Sequence, residues 1–542
     1  MRIGLLTEGG YPYATGEARL WCDRLVRGLA EHEFELYALS RSAEQERGGR
    51  VPLPPHVTAV RTAPLWAPED DGRTYGRRER RRFAGHFKEL ATGICAGAAA
   101  PFEAGLYGLA ALAREEGGLS AALRSETAVR ALESACRAPG TGRSLQRVQV
   151  TDLLTVADEL ERALRPLSLD WAEGLGALDL CHAGAGGTAA LPGLLAKRFF
   201  GVPLLVTEYG VQLRAHYLER ADSPHSDAVR ALLAAFQQRL AAEIYRAADL
   251  ITPGNTHARR WQERCGADRD RLRTVYPGME ADRFATVGED PHAGDPLTLA
   301  WVGRTEPGKD LIGLLHAFAE IRKEEPAARL RLFCAPARTP EAADHLAHCR
   351  ALAAQLFPDE AADAVTAGDS PVSFEQIGGP EVPEPADAYA SGRVVVLSSV
   401  VEGFPAGLAE AMFCGRATVS TDVGAVREVI GGTGLVVPPR NPRALADACL
   451  SLLRDQERAA RLGAAARARA LELFTVEQNV AAFRSLYLEL IARTPAPRRE
   501  QVPFGLPAEA RVPGTWTGAP ADPAPPGPAA GPAGIPAAEG AL

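Results

Sequence analysis

Two glutamates with seven residues between them, Glu402 and Glu410, frame the most chemically suggestive segment of the chain. The segment reads Ser398-Ser399-Val400-Val401-Glu402-Gly403-Phe404-Pro405-Ala406-Gly407-Leu408-Ala409-Glu410-Ala411-Met412. It follows a fully apolar run, 394–397, and leads into a small-residue helix that ends near Gly415. Gly403 and Pro405 make the start a loop, which predicts Glu402 ahead of the helix and Glu410 about a turn inside it. A helix start offers unpaired backbone N–H groups and a partial positive charge, a natural seat for a diphosphate. One carboxylate then accepts hydrogen bonds from a sugar's hydroxyls and the other from a ribose. Alone, two glutamates so spaced are ordinary surface charge; the strand before and the helix after make the string far more specific.

The second constellation is Leu299-Ala300-Trp301-Val302-Gly303-Arg304-Thr305-Glu306-Pro307-Gly308-Lys309-Asp310-Leu311. An apolar strand ends at Gly303, and Arg304 and Lys309 follow in a Pro/Gly loop before a helix. A guanidinium binds phosphate in a bidentate fork, and an ammonium adds a compact second charge. Together they stabilise the charge that builds on a departing nucleotide diphosphate, a task that a metal performs elsewhere. The bland alternative is a pair of solvated loop cations.

The elements that must position these groups form an alternating pattern. Strands are predicted at 3–6, 36–39, 178–181, 204–207, 250–252 and 272–276, then at 297–302, 330–334, 394–397, 418–421 and 435–437. Longer Ala/Leu-rich helical stretches separate them, which is the signature of α/β architecture with parallel sheets covered by helices. A chain of 542 residues is too long for one ordinary core. The expected division is a first domain over 1–285 and a second over 297–475, joined by the turn-rich stretch 286–296. Strand signals nearly vanish over 83–165, which reads as a helical insertion in the first domain. A C-terminal helix over 476–493 is expected to cross back to the first domain. Beyond it the Pro/Ala/Gly-rich 494–542 cannot bury enough apolar surface to offset chain entropy, so disorder is expected.

Composition narrows the class. Hydrophobic residues make up 46% and charged residues 24%, the balance of a soluble enzyme, and the formal net charge of −8 argues against nucleic acid as the main partner. The basic run Arg77-Arg78-Glu79-Arg80-Arg81-Arg82 reads as a solvated helix face, with anionic lipid or acceptor contact as the alternative. Nine cysteines are scattered with no CxxC pair, which suits a reducing cytoplasm. No run approaches the roughly 20 apolar residues of a membrane span, and the N-terminal apolar run is broken too soon for a signal peptide. A dinucleotide-dependent oxidoreductase is disfavoured, because the first strand lacks Gly-x-Gly-x-x-Gly with a later acidic residue. No clustered His/Cys motif suggests a metal enzyme, and Asp268-Arg269-Asp270 reads as a solvated loop rather than a cation site.

Gly303-Arg304…Lys309 and Glu402-Gly403-Phe404-Pro405…Glu410-Ala411-Met412 resemble the donor-site motifs of retaining glycosyltransferase family 4. Thr421-Asp422-Val423-Gly424-Ala425-Val426-Arg427-Glu428 is similar to the strand and turn that follow in that family. Val275-Tyr276-Pro277-Gly278-Met279-Glu280 resembles its interdomain Pro-Asn-Gly signature, without the asparagine. In the first half, Thr7-Glu8-Gly9-Gly10-Tyr11-Pro12-Tyr13-Ala14-Thr15-Gly16-Glu17 looks like the opening of the Pel-polysaccharide glycosyltransferase subgroup. So do Asp179-Leu180-Cys181-His182-Ala183 and Leu205-Val206-Thr207-Glu208-Tyr209-Gly210.

The resemblance implies a GT-B fold, two Rossmann-like domains facing a cleft. It implies a nucleotide-diphosphate sugar, UDP-glucose in the subgroup, as co-substrate, a glycan or other hydroxyl acceptor, and no metal or resident cofactor. Arg304, Lys309 and Glu402 take the catalytic roles in it. Gly16, Gly303, Gly403, Phe404, Pro405 and Glu410 bind the donor. His182, Glu208 and Tyr209 are cleft candidates, a structural histidine being an equal reading of His182. A cytoplasmic location, peripheral to a membrane polysaccharide-export complex, belongs to the same expectation. Two departures stand out: Glu17 replaces a glycine, and Tyr209 replaces the histidine of Glu-His-Gly. They motivate the alternative of a catalytically weakened binding or assembly subunit with this fold.

Overall fold

In the computed structural model, residues 1–14, 19–67, 71–142, 145–218, 225–290, 294–337, 339–358 and 370–493 are described. Gly16, Glu17 and the predicted tail 494–542 lie outside them. The apolar runs become two six-stranded sheets in which every strand pair is parallel. The first sheet contains β1 (Arg2–Glu8), β2 (Glu33–Ser40), β3 (Val57–Pro64), β4 (Leu180–Ala183), β5 (Leu204–Glu208) and β6 (Leu250–Pro253), in the order β3-β2-β1-β4-β5-β6. The second contains β7 (Asp295–Gly303), β8 (Arg329–Cys334), β9 (Val372–Gln376), β10 (Gly392–Leu397), β11 (Ala417–Thr421) and β12 (Leu435–Val437), in the order β12-β11-β10-β7-β8-β9. Each sheet is wound outward from its first strand in both directions. The chain therefore diverges beyond the ends of β1 and β4, and of β7 and β10, leaving the crevice where such sheets bind ligands.

Between β3 and β4 the insertion is helical, and it is longer than 83–165. It starts with the helix Arg77–Ala96, which contains the basic run, and ends with Trp171–Gly176. Its first two helices, Arg77–Ala96 and Ala99–Glu116, touch through Gly93 and Gly105; a methyl group on either would fall within 2.5 Å of the opposite backbone. A buried pair ties the insertion to the end of β3. Arg165 donates to both oxygens of Glu161 (2.9 and 2.6 Å) and to the carbonyls of Pro64 and Ala67 (3.0 and 2.6 Å).

The chain passes between the sheets twice, and the two passages are stitched together. Met279 N–H donates to the Phe474 carbonyl (2.8 Å), and Val476 N–H donates to that of Met279 (3.1 Å). The helix Val476–Arg493 then packs Val480, Phe483, Leu486, Tyr487 and Leu490 against Ile3, Leu5, Trp21, Leu25 and Leu36 of the first domain. Each such large apolar side chain stabilises the docking by about 2 kcal/mol.

Three expectations about elements need correction. Residues 272–276 run beside β6 but make only one bridge, Ile251 to Leu272, with Arg273 and Val275 N–H groups donating to Ile251 and Pro253. Pro277 follows at once and has no N–H to extend the ladder. The supposed linker 286–296 is in part the helix Ala285–Glu289, with β7 beginning at Asp295. Two edge strands, β3 and β9, were not predicted. The sequence VTAVRTAP is half exposed and closes on a proline, while VSFEQ is mostly polar, so neither shows a continuous apolar run.

Candidate active site

The loops after β7 and β10 meet at the crevice of the second sheet and are fastened to each other. Ser398 Oγ donates to the Lys309 carbonyl (2.7 Å), and Val400 N–H donates to that of Gly308 (2.9 Å). This stitching carries the Lys309 ammonium onto Glu402 Oε1, which also accepts from Ser399 Oγ at 2.8 Å. Both partners thus share one oxygen, and among the described residues Oε2 of Glu402 has no hydrogen-bond partner. The pair is largely buried, with side-chain exposures of 18% and 9%. In that setting removal of one member leaves a charge without compensation.

The backbone of Glu402 is also held. Its carbonyl accepts from Arg214 Nη2 at 2.9 Å, across from the first domain. Gly424 lies close on another side; a Cβ there would come within 2.5 Å of the same oxygen, and its φ of +56° already favours glycine. Gly403 follows with open space around its Cα, and its carbonyl accepts from Ala425 N–H (3.1 Å). Pro405 caps the helix Ala406–Phe413, so Glu402 precedes this helix and Glu410 lies a turn inside it.

Glu410 accepts a hydrogen bond from Tyr389 Oη at 2.8 Å. Burial raises its pKa, opposed by that hydrogen bond and by the positive charges of Arg283 and Arg24. It lines a cavity of about 380 Å³ between the two domains. Arg19, Trp21 and Arg24 form the first-domain wall, and Phe404 and Ala406 flank Glu410 on the other. Phe404 is braced edge-on by Phe474, ring centroids 5.6 Å apart. The cavity thus combines aromatic and aliphatic walls, guanidinium groups and two carboxylates, Glu280 and Glu410, a set suited to a nucleoside phosphate.

Of the second-domain candidates, Phe404 and Glu410 line this cavity, while Arg304, Lys309 and Glu402 are not among its lining residues. Gly303 is the last residue of β7, but the Arg304 guanidinium is 56% exposed and pairs with Glu306 on its own loop (3.3 Å). Among the described residues no hydrogen bond or ion pair joins Arg304 to Lys309, Glu402 or Glu410. The first-domain candidates differ more sharply. His182 is fully buried, bonded to Tyr487 Oη and Thr207 Oγ1, each at 2.7 Å, and burial lowers its pKa to about 3. It is a neutral, satisfied core residue rather than a cleft group. Glu208 is also buried; it accepts from Gln212 N–H (3.0 Å), Gln262 Nε2 (3.2 Å) and the Tyr245 hydroxyl, while burial raises its pKa. Tyr209 packs edge-on against Trp21 (5.1 Å) and accepts from Asn479 Nδ2 (3.0 Å). It supports the cavity wall from behind.

Tyr389 and Arg214 were missed. Tyr389 sits in a short Ala-rich helix and reads as core, and Arg214 reads as a surface cation 188 residues from its acceptor. Among the described residues, no group of three or more His, Cys, Asp or Glu is arranged to hold a metal ion, and no helix is long and apolar enough to cross a membrane. Asp268 instead caps a turn, accepting from Asp270 N–H at 3.0 Å.

Comparison with known proteins follows the same division. Residues 1–270 match a domain of unknown function (DUF3492), and residues 296–455 match Glycosyl transferases group 1. D-inositol 3-phosphate glycosyltransferase of Rhodococcus opacus is 28% identical over 294 residues, covering 51% of this chain and 59% of the relative. Its counterpart from Catenulispora acidiphila is 30% identical over 288 residues, covering 50% and 62%. The chain thus spans little more than half the length of these curated relatives. Among solved structures, Anabaena Alr3699/HepE in complex with UDP superposes with a TM-score of 0.55 at 14% identity, covering 90% of this chain and all (100%) of that one. Sucrose-phosphate synthase from Thermosynechococcus elongatus gives 0.53 at 17% identity, covering 91% and 100%. With two doubly wound sheets, a cleft between them and a second-domain match to Glycosyl transferases group 1, the chain has the GT-B fold.

Proposed function

We propose that the protein is a retaining, metal-independent glycosyltransferase of family 4, akin to the Pel-polysaccharide subgroup. It moves a hexose from a nucleotide-diphosphate sugar, UDP-glucose, to a hydroxyl of a glycan. The observation that carries this reading is the meeting of Lys309, Ser399 and Glu402 beyond β7 and β10, just ahead of the helix whose Glu410 lines the interdomain cavity. The HepE neighbour in complex with UDP-glucose supports the choice of donor.

In this mechanism Glu410 holds the ribose, and Oε2 of Glu402 orients the sugar. The acceptor oxygen attacks the anomeric carbon on the face that the leaving group departs from. The bond between that carbon and the phosphate oxygen breaks, and the diphosphate leaves with the electron pair. The acceptor proton passes to the leaving phosphate, so no side chain serves as general base. Lys309, assisted by Arg304 once it swings from Glu306, offsets the charge on the leaving group. Closure of the domains excludes water and limits hydrolysis. Work at the cytoplasmic face of a membrane, beside a polysaccharide-export complex, fits the same reading.

Incubation with UDP-glucose and oligosaccharide acceptors, with and without EDTA, tests this. An α-linked product formed at the same rate in EDTA is expected. A β-linked product, or turnover only with added metal, contradicts it.

A further inference from the structure

Three hydrogen bonds join the first domain to Glu402 and Glu428 of the second. Arg214 Nη2 donates to the Glu402 carbonyl at 2.9 Å. Some residues later, the Glu428 carboxylate accepts from Thr256 N–H (2.6 Å) and from Tyr276 Oη (2.9 Å). The helix Gln212–Leu218, which carries Arg214, is itself fixed. Its first residue donates N–H to Glu208 (3.0 Å), and Glu208 is pinned by Tyr245 and Gln262. A continuous series of bonds therefore runs from the core of the first domain through Glu208 and Arg214 to the backbone of Glu402. On the other side of that residue, Lys309 and Ser399 hold its carboxylate.

We propose that Arg214 is a positioning residue that couples domain closure to the orientation of Glu402. The inference rests on the transferase reading given above. With the domains together, the guanidinium anchors the Glu402 carbonyl and leaves Oε2 turned to the donor sugar. With the domains apart, the carbonyl loses that donor, and only Lys309 and Ser399 restrain the side chain. Gly424 permits the arrangement, since a side chain there would push the same carbonyl away. Arg214 is thus expected to act on the transfer step and not on the grip of the nucleotide, which Glu410 provides.

The test compares wild type, R214A and R214K for transfer from UDP-glucose, donor hydrolysis and melting temperature. Expected for R214A are a kcat lower by about 10- to 100-fold, a donor KM near the wild-type value and a larger share of hydrolysis over transfer. R214K should recover part of the loss, and low-millimolar guanidinium should restore part of the R214A rate without affecting wild type. A wild-type kcat in R214A overturns the proposal. So does a loss of kcat, donor KM and melting temperature together that neither R214K nor guanidinium relieves. A wild type that neither binds nor turns over UDP-glucose removes the transferase reading first. Small-angle scattering then still reads the contact: R214A should show a larger radius of gyration, and an unchanged one overturns the coupling on its own.

Discussion

The two sheets share one strand order, yet the polar residues at their strand ends have opposite fates. In the first domain His182 and Glu208 are buried with every partner supplied by the protein: Tyr487, Thr207, Tyr245, Gln212 and Gln262. In the second, Lys309 and Glu402 hold each other, but among the described residues Oε2 of Glu402 has no partner, and Glu410 faces an open cavity. The difference lies in what packs on the strands. The helix Val476–Arg493 returns to the first domain and lays Phe483 and Tyr487 against His182, rings 5.3 and 5.7 Å away. Topology offers each sheet a crevice; at these strand ends the returning helix closes over His182, whereas Glu410 is left lining a cavity. The Glu161–Arg165 pair makes the same point: fully bonded and almost dry, it fastens the insertion.

The largest way to break the contrast is at the open end. Glu402→Ala or Lys309→Ala should lower transfer by about 100-fold or more, as loss of a transition-state contact does. Lys309→Ala should also cost about 3 kcal/mol of stability by leaving the Glu402 charge without its partner. Steady-state rates with parallel thermal melts measure both. Gly424→Ala should act more mildly. A methyl group at φ +56° and 2.5 Å from the Glu402 carbonyl costs about 1–2 kcal/mol in backbone strain, and displacement of that carbonyl should cut kcat about tenfold. Tyr389→Phe removes the hydrogen bond to Glu410 and should raise donor KM a few-fold, about the net worth of an ordinary hydrogen bond.

At the sealed end the expected effects on activity are smallest. His182→Ala should leave kcat near normal while leaving the buried Tyr487 hydroxyl unpaired, at a cost of about 1–3 kcal/mol; Thr207 keeps its bond to Thr252. His182 also predicts a pH dependence. Its pKa is about 3 in the folded protein, whereas an unfolded histidine titrates near 6.5. The unfolded state therefore takes the proton first, and stability falls as pH drops from about 6.5 toward about 3, by up to about 1.4 kcal/mol per unit. Melting curves of His182→Gln over that interval should be flatter than those of wild type. Equal slopes would mean that this residue is not buried and neutral.

The central strands were legible because parallel strands covered on both faces are nearly continuous apolar runs, as in Val394-Val395-Val396-Leu397. Edge strands β3 and β9 lack that signal because solvent reaches one side. In the site, Lys309 and Glu402 were legible because a Gly/Pro break after an apolar strand marks the end of a parallel strand, where ligands bind. His182, Glu208 and Tyr209 show the limit of that logic. A polar residue at a strand end reads the same whether it faces a cleft or a hydroxyl from a helix 305 residues away, as His182 faces Tyr487. Arg214 was hidden for the converse reason: its acceptor is a backbone carbonyl of the other domain, which carries no side-chain signature.

Calorimetric titration with UDP-glucose tests the central assignment most directly, through wild type, a Lys309→Ala/Glu410→Ala double variant and His182→Ala. Saturable binding to wild type and His182→Ala, lost in the folded double variant, is the predicted outcome. Equal binding by all three proteins, or binding lost only in His182→Ala, would contradict it.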